Sequence, residues 1–378
     1  MHPLRYRVVA TCAAFVIAAC DDSPLPQVDR DATPPPVGTS PVPPAASCAA
    51  GFDDVVVASE DLNGYPPYAV EGCSLVYVSG SGDLVLRDLA VRGAGGEQVL
   101  ASAQERPRRP AISRALVAFE AEVRGARVVR IVPREPRGAA YTIEGPFAMA
   151  GEPRVRGDAV VFTAWQATVE RSDSDVWLHV AGTRETNLAI GGRGQQRFAD
   201  VSEGVVVATD FSEDADGFYD GSGADLADIT VLDRKTSRTT KRAAPGKQAF
   251  PMLGDGDLLA YLSWSTVHPE PKLVAYDLLV GSIFGPATAD RKIASVTFMS
   301  SEYARPAVHG KMLEWVANPD GRTALHRAPL DGSAEPQRVN GLDGLQLFAP
   351  APADGFTVLA TSARGAVGGA PKLRSIGR

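Results

Sequence analysis

The 378-residue chain is 44% hydrophobic and 22% charged, with 37 glycines and 29 prolines, a balance that excludes a fibrous or wholly disordered protein. Its net charge of −7 argues against non-specific nucleic-acid binding through a basic surface. What remains is a globular protein long enough for a substantial core.

The first element is an export segment. Arg5 and Arg7 precede an uncharged apolar stretch from Val8 to Ala19. At 12 residues it is too short for a mature membrane-spanning helix, which needs about 20 apolar residues, and it has the length of a secretory signal core. It closes on Ile17-Ala18-Ala19-Cys20, which resembles the bacterial lipobox, in which the cysteine thiol accepts a diacylglycerol. Residues 1–19 are therefore expected to be a lipoprotein signal peptide, and Cys20 the lipidated, palmitate-bearing residue that anchors the chain to a membrane surface. Without residues 1–19 the net charge is −9, from 36 Lys and Arg against 45 Asp and Glu.

Residues 20–47 come next. Eight prolines lie between 21 and 47, in runs such as Pro34-Pro35-Pro36, with almost no large apolar residue. This segment cannot bury a core, and it is expected to be a disordered tether holding the body up to roughly 80 Å from the membrane. The composition changes at Cys48, where a folded domain covering 48–378 is expected. Cys48 and Cys73 are the two cysteines outside the export segment, and in an oxidising compartment they are expected to form a disulfide.

Within that domain a short pattern recurs: a proline or its equivalent, a glycine turn, then a β-rich run. Examples are Pro67 to Gly72 before Leu75-Val-Tyr-Val, Pro153 to Gly157 before Val160-Val-Phe-Thr, and Pro306 to Gly310 before Met312-Leu-Glu-Trp. The β-runs start at 75, 116, 160, 205, 258, 312 and 356, seven copies spaced 41 to 54 residues apart. Most copies continue with a third run, such as Asp228-Ile-Thr-Val-Leu-Asp233, and then a turn and a fourth. Four strands per 40–50 residues make a propeller blade. The expected fold is an all-β propeller of four-stranded blades, seven in number, with six or eight as alternatives. The seventh copy runs out of chain before its fourth strand, while Asp54-Val-Val-Val-Ala-Ser59 is a strand without a blade. That N-terminal strand is expected to complete the last blade and close the ring.

The segments Asn318-Pro-Asp-Gly-Arg-Thr-Ala-Leu-His-Arg-Ala-Pro-Leu-Asp-Gly332 and Asp228-Ile-Thr-Val-Leu-Asp-Arg-Lys-Thr236 resemble the repeat of the TolB-like, WD-type propellers of the bacterial envelope. The family's fuller Trp-Ser-Pro-Asp-Gly motif is missing from every copy. The resemblance implies fold and compartment over about residues 53–378, more than it implies function.

Catalytic patterns are scarce. The sequence has no Gly-x-Ser-x-Gly elbow, no phosphate-binding glycine loop and no His-Glu-x-x-His. His179, His268, His309 and His326 fall on different repeat segments, none within metal-ligand spacing of another. The longest second-to-third loops, 166–174, 211–227, 265–271 and 363–370, emerge on one face of a propeller, and insertions on one face of a repeat fold mark its binding face. Trp165, Asp210, Trp264 and Asn318 end their second strands there and are the candidate binding residues. Asp214, Asp216 and Asp220 surround a turn glycine and could hold calcium, although the spacing does not fit an EF-hand; a solvated acidic hairpin is the alternative. No other cofactor is expected. The arginines between Arg106 and Arg137 suggest a basic patch on blade two, with charge scattered over solvent-facing strands as the plain alternative.

The resulting expectation is an envelope lipoprotein on the periplasmic or cell-surface side, with inner and outer membrane both open. Its propeller would be a non-enzymatic binding or scaffold module for an envelope protein or glycan. A propeller enzyme acting on a polysaccharide or peptide at the channel mouth is the alternative.

Overall fold

The computed structural model describes residue 48 and residues 55–377, apart from residue 63 and the segments 92–95, 135–137, 220–224, 265–273, 299–303, 318–321 and 364–369. The signal peptide, Cys20 and the whole 20–47 tether lie outside the described residues. Among the described residues, no helix is long and apolar enough to cross a membrane.

Seven four-stranded antiparallel sheets follow one another along the chain. Their second strands start at Ser74, Leu116, Ala159, Val205, Leu258, Met312 and Phe356, each at or one residue before the start expected from the repeat. These strands are continuous apolar runs rather than alternating ones, because each is covered on both faces by neighbouring blades. Ala159–Trp165 is buried at every position, whereas the outer strand of the next blade, Arg238–Arg242, is buried only at its end. The core is therefore a ring of layers between blades. Val76, Val78 and Leu84 of blade one meet Ile112, Val117 and Phe119 of blade two, and Val205, Val207 and Ile229 of blade four meet Leu253, Leu259 and Tyr261 of blade five.

Blade seven shows how the ring closes. Its inner strand is split into Leu345–Leu347 and Ala351–Ala353, its second strand is Phe356–Ala363, and its third is Lys372–Gly377. The fourth position is taken by the N-terminal segment around Val56, which bridges antiparallel to Lys372. Val57 N–H donates to the Pro371 carbonyl at 3.0 Å, and Leu373 N–H donates to the Val55 carbonyl at 2.9 Å. The same segment reaches blade one, where Ala58 N–H donates to the Val78 carbonyl at 3.0 Å. Val55 and Val57 pack with Tyr68, Leu75, Val358 and Leu373 in the layer between the last and first blades. Cys48 and Cys73 are joined by a disulfide with Cα atoms 5.3 Å apart, tying the start of this segment to the first blade.

Antiparallel blades in a ring put the first–second and third–fourth turns on one face. The second–third loops and the blade-to-blade connections share the other.

Candidate functional site

Of the residues expected on the second–third face, the described ones, Trp165, Asp210 and Trp264, are buried or half-buried. Trp165 is fully buried: its indole N–H donates to the Glu170 carbonyl at 3.2 Å, and the Arg197 guanidinium lies 5.2 Å from the ring centroid. The loop that follows folds over the end of the strand, so this ring is core rather than an exposed anchor. Trp165→Ala is expected to lower unfolding free energy by about 3–5 kcal/mol in urea titration, the cost of removing a large buried aromatic. Trp264 is half-buried, packed 5.6 Å from Tyr276 and 6.3 Å from Phe250 between ring centroids. Asn318 lies outside the described residues.

Asp210 is buried and fully engaged. It accepts from Gln196 Nε2 at 3.1 Å, from Ser212 N–H at 2.9 Å and from Thr230 Oγ1 at 3.2 Å, and it lies 3.4 Å from Lys241 Nζ. Burial alone would raise its pKa, but these hydrogen bonds and Lys241 hold it below the usual carboxylate range. The neighbouring acids are likewise occupied. Asp214 accepts from the backbone N–H groups of Asp216 at 3.2 Å and Leu226 at 2.9 Å; Asp216 accepts from Phe218 N–H at 2.9 Å and from Arg171 at 2.6 Å. These carboxylates organise their own loop. Among the described residues no three His, Cys, Asp or Glu side chains are placed to hold a metal ion, and Asp220 lies outside the described residues.

Several of the described blade-two arginines are held in ion pairs: Arg106 pairs with Glu122 at 2.8 Å, Arg127 with Glu170 at 2.6 Å and Arg130 with Glu105. His179 is buried between the Tyr141 hydroxyl at 3.0 Å and the Thr186 hydroxyl at 2.9 Å, and burial lowers its pKa. His326 stacks on Trp315, and His309 pairs with Asp354 at 2.9 Å, whereas His268 lies outside the described residues.

The chemistry instead gathers along the central channel, through a feature the sequence repeat contains but does not advertise. In blades two to five the inner strand carries a bulge, two residues facing one on the second strand. The first bulge residue is Arg109, Glu152, Phe198 or Phe250, and each has a positive φ, between 49° and 58°. A left-handed backbone at a non-glycine residue costs of order 1 kcal/mol or more, so four equivalent cases mark a position held by its surroundings. In three of the four the next residue is proline, which supplies no N–H to the interrupted ladder. Blade six repeats the dipeptide as Arg305-Pro306.

These side chains meet at one level of the channel. Glu152 is bound by Arg197, accepts from Thr163 Oγ1 at 2.8 Å and lies 3.7 Å from Arg109. Burial would raise its pKa, but Arg197 and Arg109 pull it down to about 2. Arg109 also pairs with Glu120 at 3.1 Å and with Asp61 at 2.8 Å. Glu120 comes close enough to the inner strand of blade three to accept from Glu152 N–H at 2.7 Å; a Cβ at Gly151 would sit 2.6 Å from its Oε1, so glycine is required there. Aromatic rings fill the remaining space: Phe198 lies 4.4 Å from Phe250, 4.9 Å from Tyr219 and 6.2 Å from Tyr65 between centroids.

The next register level toward the first–second turns is lined differently. There Ala111, Arg154, Asp200, Met252, Ala307 and Ala351 occupy equivalent positions opposite their second strands. Small residues in three blades leave a cavity of about 180 Å³, lined by the inner strands of all seven blades and reaching the rim residues Glu71, Arg156 and His309. This cavity opens on the first–second face, while a larger one of about 530 Å³, lined by Asp61, Tyr65, Gly82, Arg106 and Glu122, lies on the face expected from loop length. The residue before each repeat proline marks the filled level of the channel, and the residue after it marks the open one.

No family model matches the sequence, and no curated protein does. Among solved structures, the β-propeller domain of the Trilobed protease from Pyrococcus furiosus is similar, with a TM-score of 0.58 at 10% identity, covering 86% of this chain and 94% of that one. A prolyl endopeptidase matches with a TM-score of 0.53 at 12% identity, over 82% of this chain and 49% of that one. TolB from Acinetobacter baumannii matches with a TM-score of 0.44 at 14% identity, over 74% of this chain and 60% of that one. At such identities a likeness shows fold alone. The chain is a seven-bladed β-propeller, closed by its own N-terminal strand.

Proposed function

We propose that this chain is an envelope lipoprotein, anchored through Cys20 and held off the membrane by the 20–47 tether. Its propeller is a binding module that receives a protein or glycan partner at the channel mouth on the first–second face. The observation that carries this reading is the channel itself: all seven inner strands converge on one polar cavity that opens beside Glu71 and Arg156. Concave sites with a few convergent polar groups are where ligands bind. The anchor rests on the lipobox-like Ile17-Ala18-Ala19-Cys20. The enzymatic alternative has only the fold likeness to peptidase propellers behind it, and fold does not carry chemistry.

Two variants test the two halves separately. Cys20→Ala is expected to move the protein out of the membrane fraction of cells expressing the full chain; persistence at the membrane would contradict the anchor. Glu71→Lys combined with Arg156→Glu inverts the rim charges at partly exposed positions and is expected to abolish recovery of the bound partner while leaving the melting temperature nearly unchanged. Undiminished recovery would remove the channel mouth from the account.

A further inference from the structure

We propose that the channel contains an anion site, formed by Arg154 and Arg305 beneath Tyr65, which takes a single carboxylate group. This deepens the reading of the channel mouth as the binding face and rests on it.

Among the described residues, Arg109, Arg127 and Arg197 each have a carboxylate within 4 Å, but neither Arg154 nor Arg305 does. Arg305 is 4% exposed, and its Nε and Nη1 are buried with no hydrogen-bond acceptor. Leaving such donors unmet is costly, and native proteins rarely tolerate it without a ligand or ion to accept from them. Both guanidiniums face the same ring, with their carbons 5.6 Å and 5.1 Å from the Tyr65 centroid. They also repel: burial first, and Arg305 second, lower the Arg154 pKa to about 10. Two like charges confined in one cavity with no carboxylate in contact with either describe half of an ion pair.

The carboxylate follows from charge count and space. Asp200 stands beside Arg154 on the adjacent blade and offsets one positive charge, although its oxygens are occupied by the N–H groups of Val201 and Leu253 at 2.9 Å and 2.8 Å. The surplus matches a monoanion rather than a phosphate dianion. The cavity of about 180 Å³ has apolar walls from Met252 and Ala307, so an anionic head on a short aliphatic stem fits it. Arginine's planar fork is the donor suited to a carboxylate. Two sources carry this chemistry: a free small organic acid, and an acidic group on a partner protein.

The test uses the purified chain from Cys48 to its end, which contains the whole propeller, and needs no partner. Calorimetric titration with butyrate, with butyramide as the neutral control and ionic strength held constant, is expected to show saturable binding of the acid alone. Arg305→Met and Arg154→Gln are each expected to weaken it about tenfold or more. Arg305→Met is also expected to melt higher than wild type in buffer without carboxylates, since it relieves the repulsion, and that readout shows the variant is folded. A short peptide with a free C-terminal carboxylate, compared with its amide, separates the sources: tighter binding than butyrate assigns the site to a partner protein, equal or weaker binding to a free acid. Equal heats for butyrate and butyramide, or binding that survives both substitutions, would overturn the anion site. Either result leaves the rim-charge experiment to decide the binding face on its own.

Discussion

Removing the closing strand is expected to produce the largest loss of stability of any short deletion in this protein. Val55 and Val57 are 7% and 1% exposed, and burial of each contributes about 1.5–3 kcal/mol. Deleting residues 48–59 forfeits both, the disulfide, and the two ladder hydrogen bonds to blade seven. It also leaves Lys372–Gly377 as an open edge over the fully buried Leu373. A total near 5–10 kcal/mol is comparable to the whole stability of many domains. The expected outcome is a chain that melts early and aggregates through the exposed edge, read by calorimetry and light scattering. Val57→Pro is the subtler version: it removes the N–H that donates to Pro371, and it should lower the melting temperature without the full collapse. A deletion variant that melts within a degree or two of wild type would show that the ring is held by inter-blade layers alone.

The second large effect centres on Glu152. Glu152→Ala is expected to destabilise the fold by about 3–5 kcal/mol, because it strands the buried Arg197 guanidinium without its counter-charge. Glu152→Gln keeps an acceptor for Thr163 Oγ1 and should lie between wild type and alanine. The same carboxylate sets an acid limit. Its pKa in the folded protein is about 2, below the ordinary 4.5, so the stability it contributes is complete above about 4.5 and is lost as pH falls toward 2. That depression corresponds to about 3 kcal/mol at neutral pH. Urea titrations of wild type and Glu152→Gln should therefore differ widely at pH 7 and converge near pH 2. A gap that stays constant across this range would mean that Glu152 contributes through packing, not charge.

The architecture was legible because its determinants are local and repeated. Most second strands are apolar runs rich in valine, alanine and leucine between a glycine turn and a loop, which is what burial on both faces demands. The closing strand was legible from a mismatch: a β-run at 54–59 with no partner and a last blade one strand short. The channel was harder, because which end of it is open depends on side-chain volumes at equivalent positions far apart in sequence. Tyr65, Phe198 and Phe250 fill one level, whereas Ala111, Ala307 and Ala351 leave the next one open. Loop length pointed to the other face. Trp165 misled for a related reason: it ends its strand on the loop side, but the 166–173 segment folds back over it, and Glu170 receives its N–H.

The most direct test of the central claim, that partners are received where the channel opens, is photo-crosslinking in cells from one residue on each face. A photoreactive side chain at Arg156 stands on the first–second rim, and one at the exposed Val169 stands on the opposite face. A discrete adduct is expected from position 156 and none from position 169. An adduct from position 169 alone would contradict it and return the binding surface to the long loops.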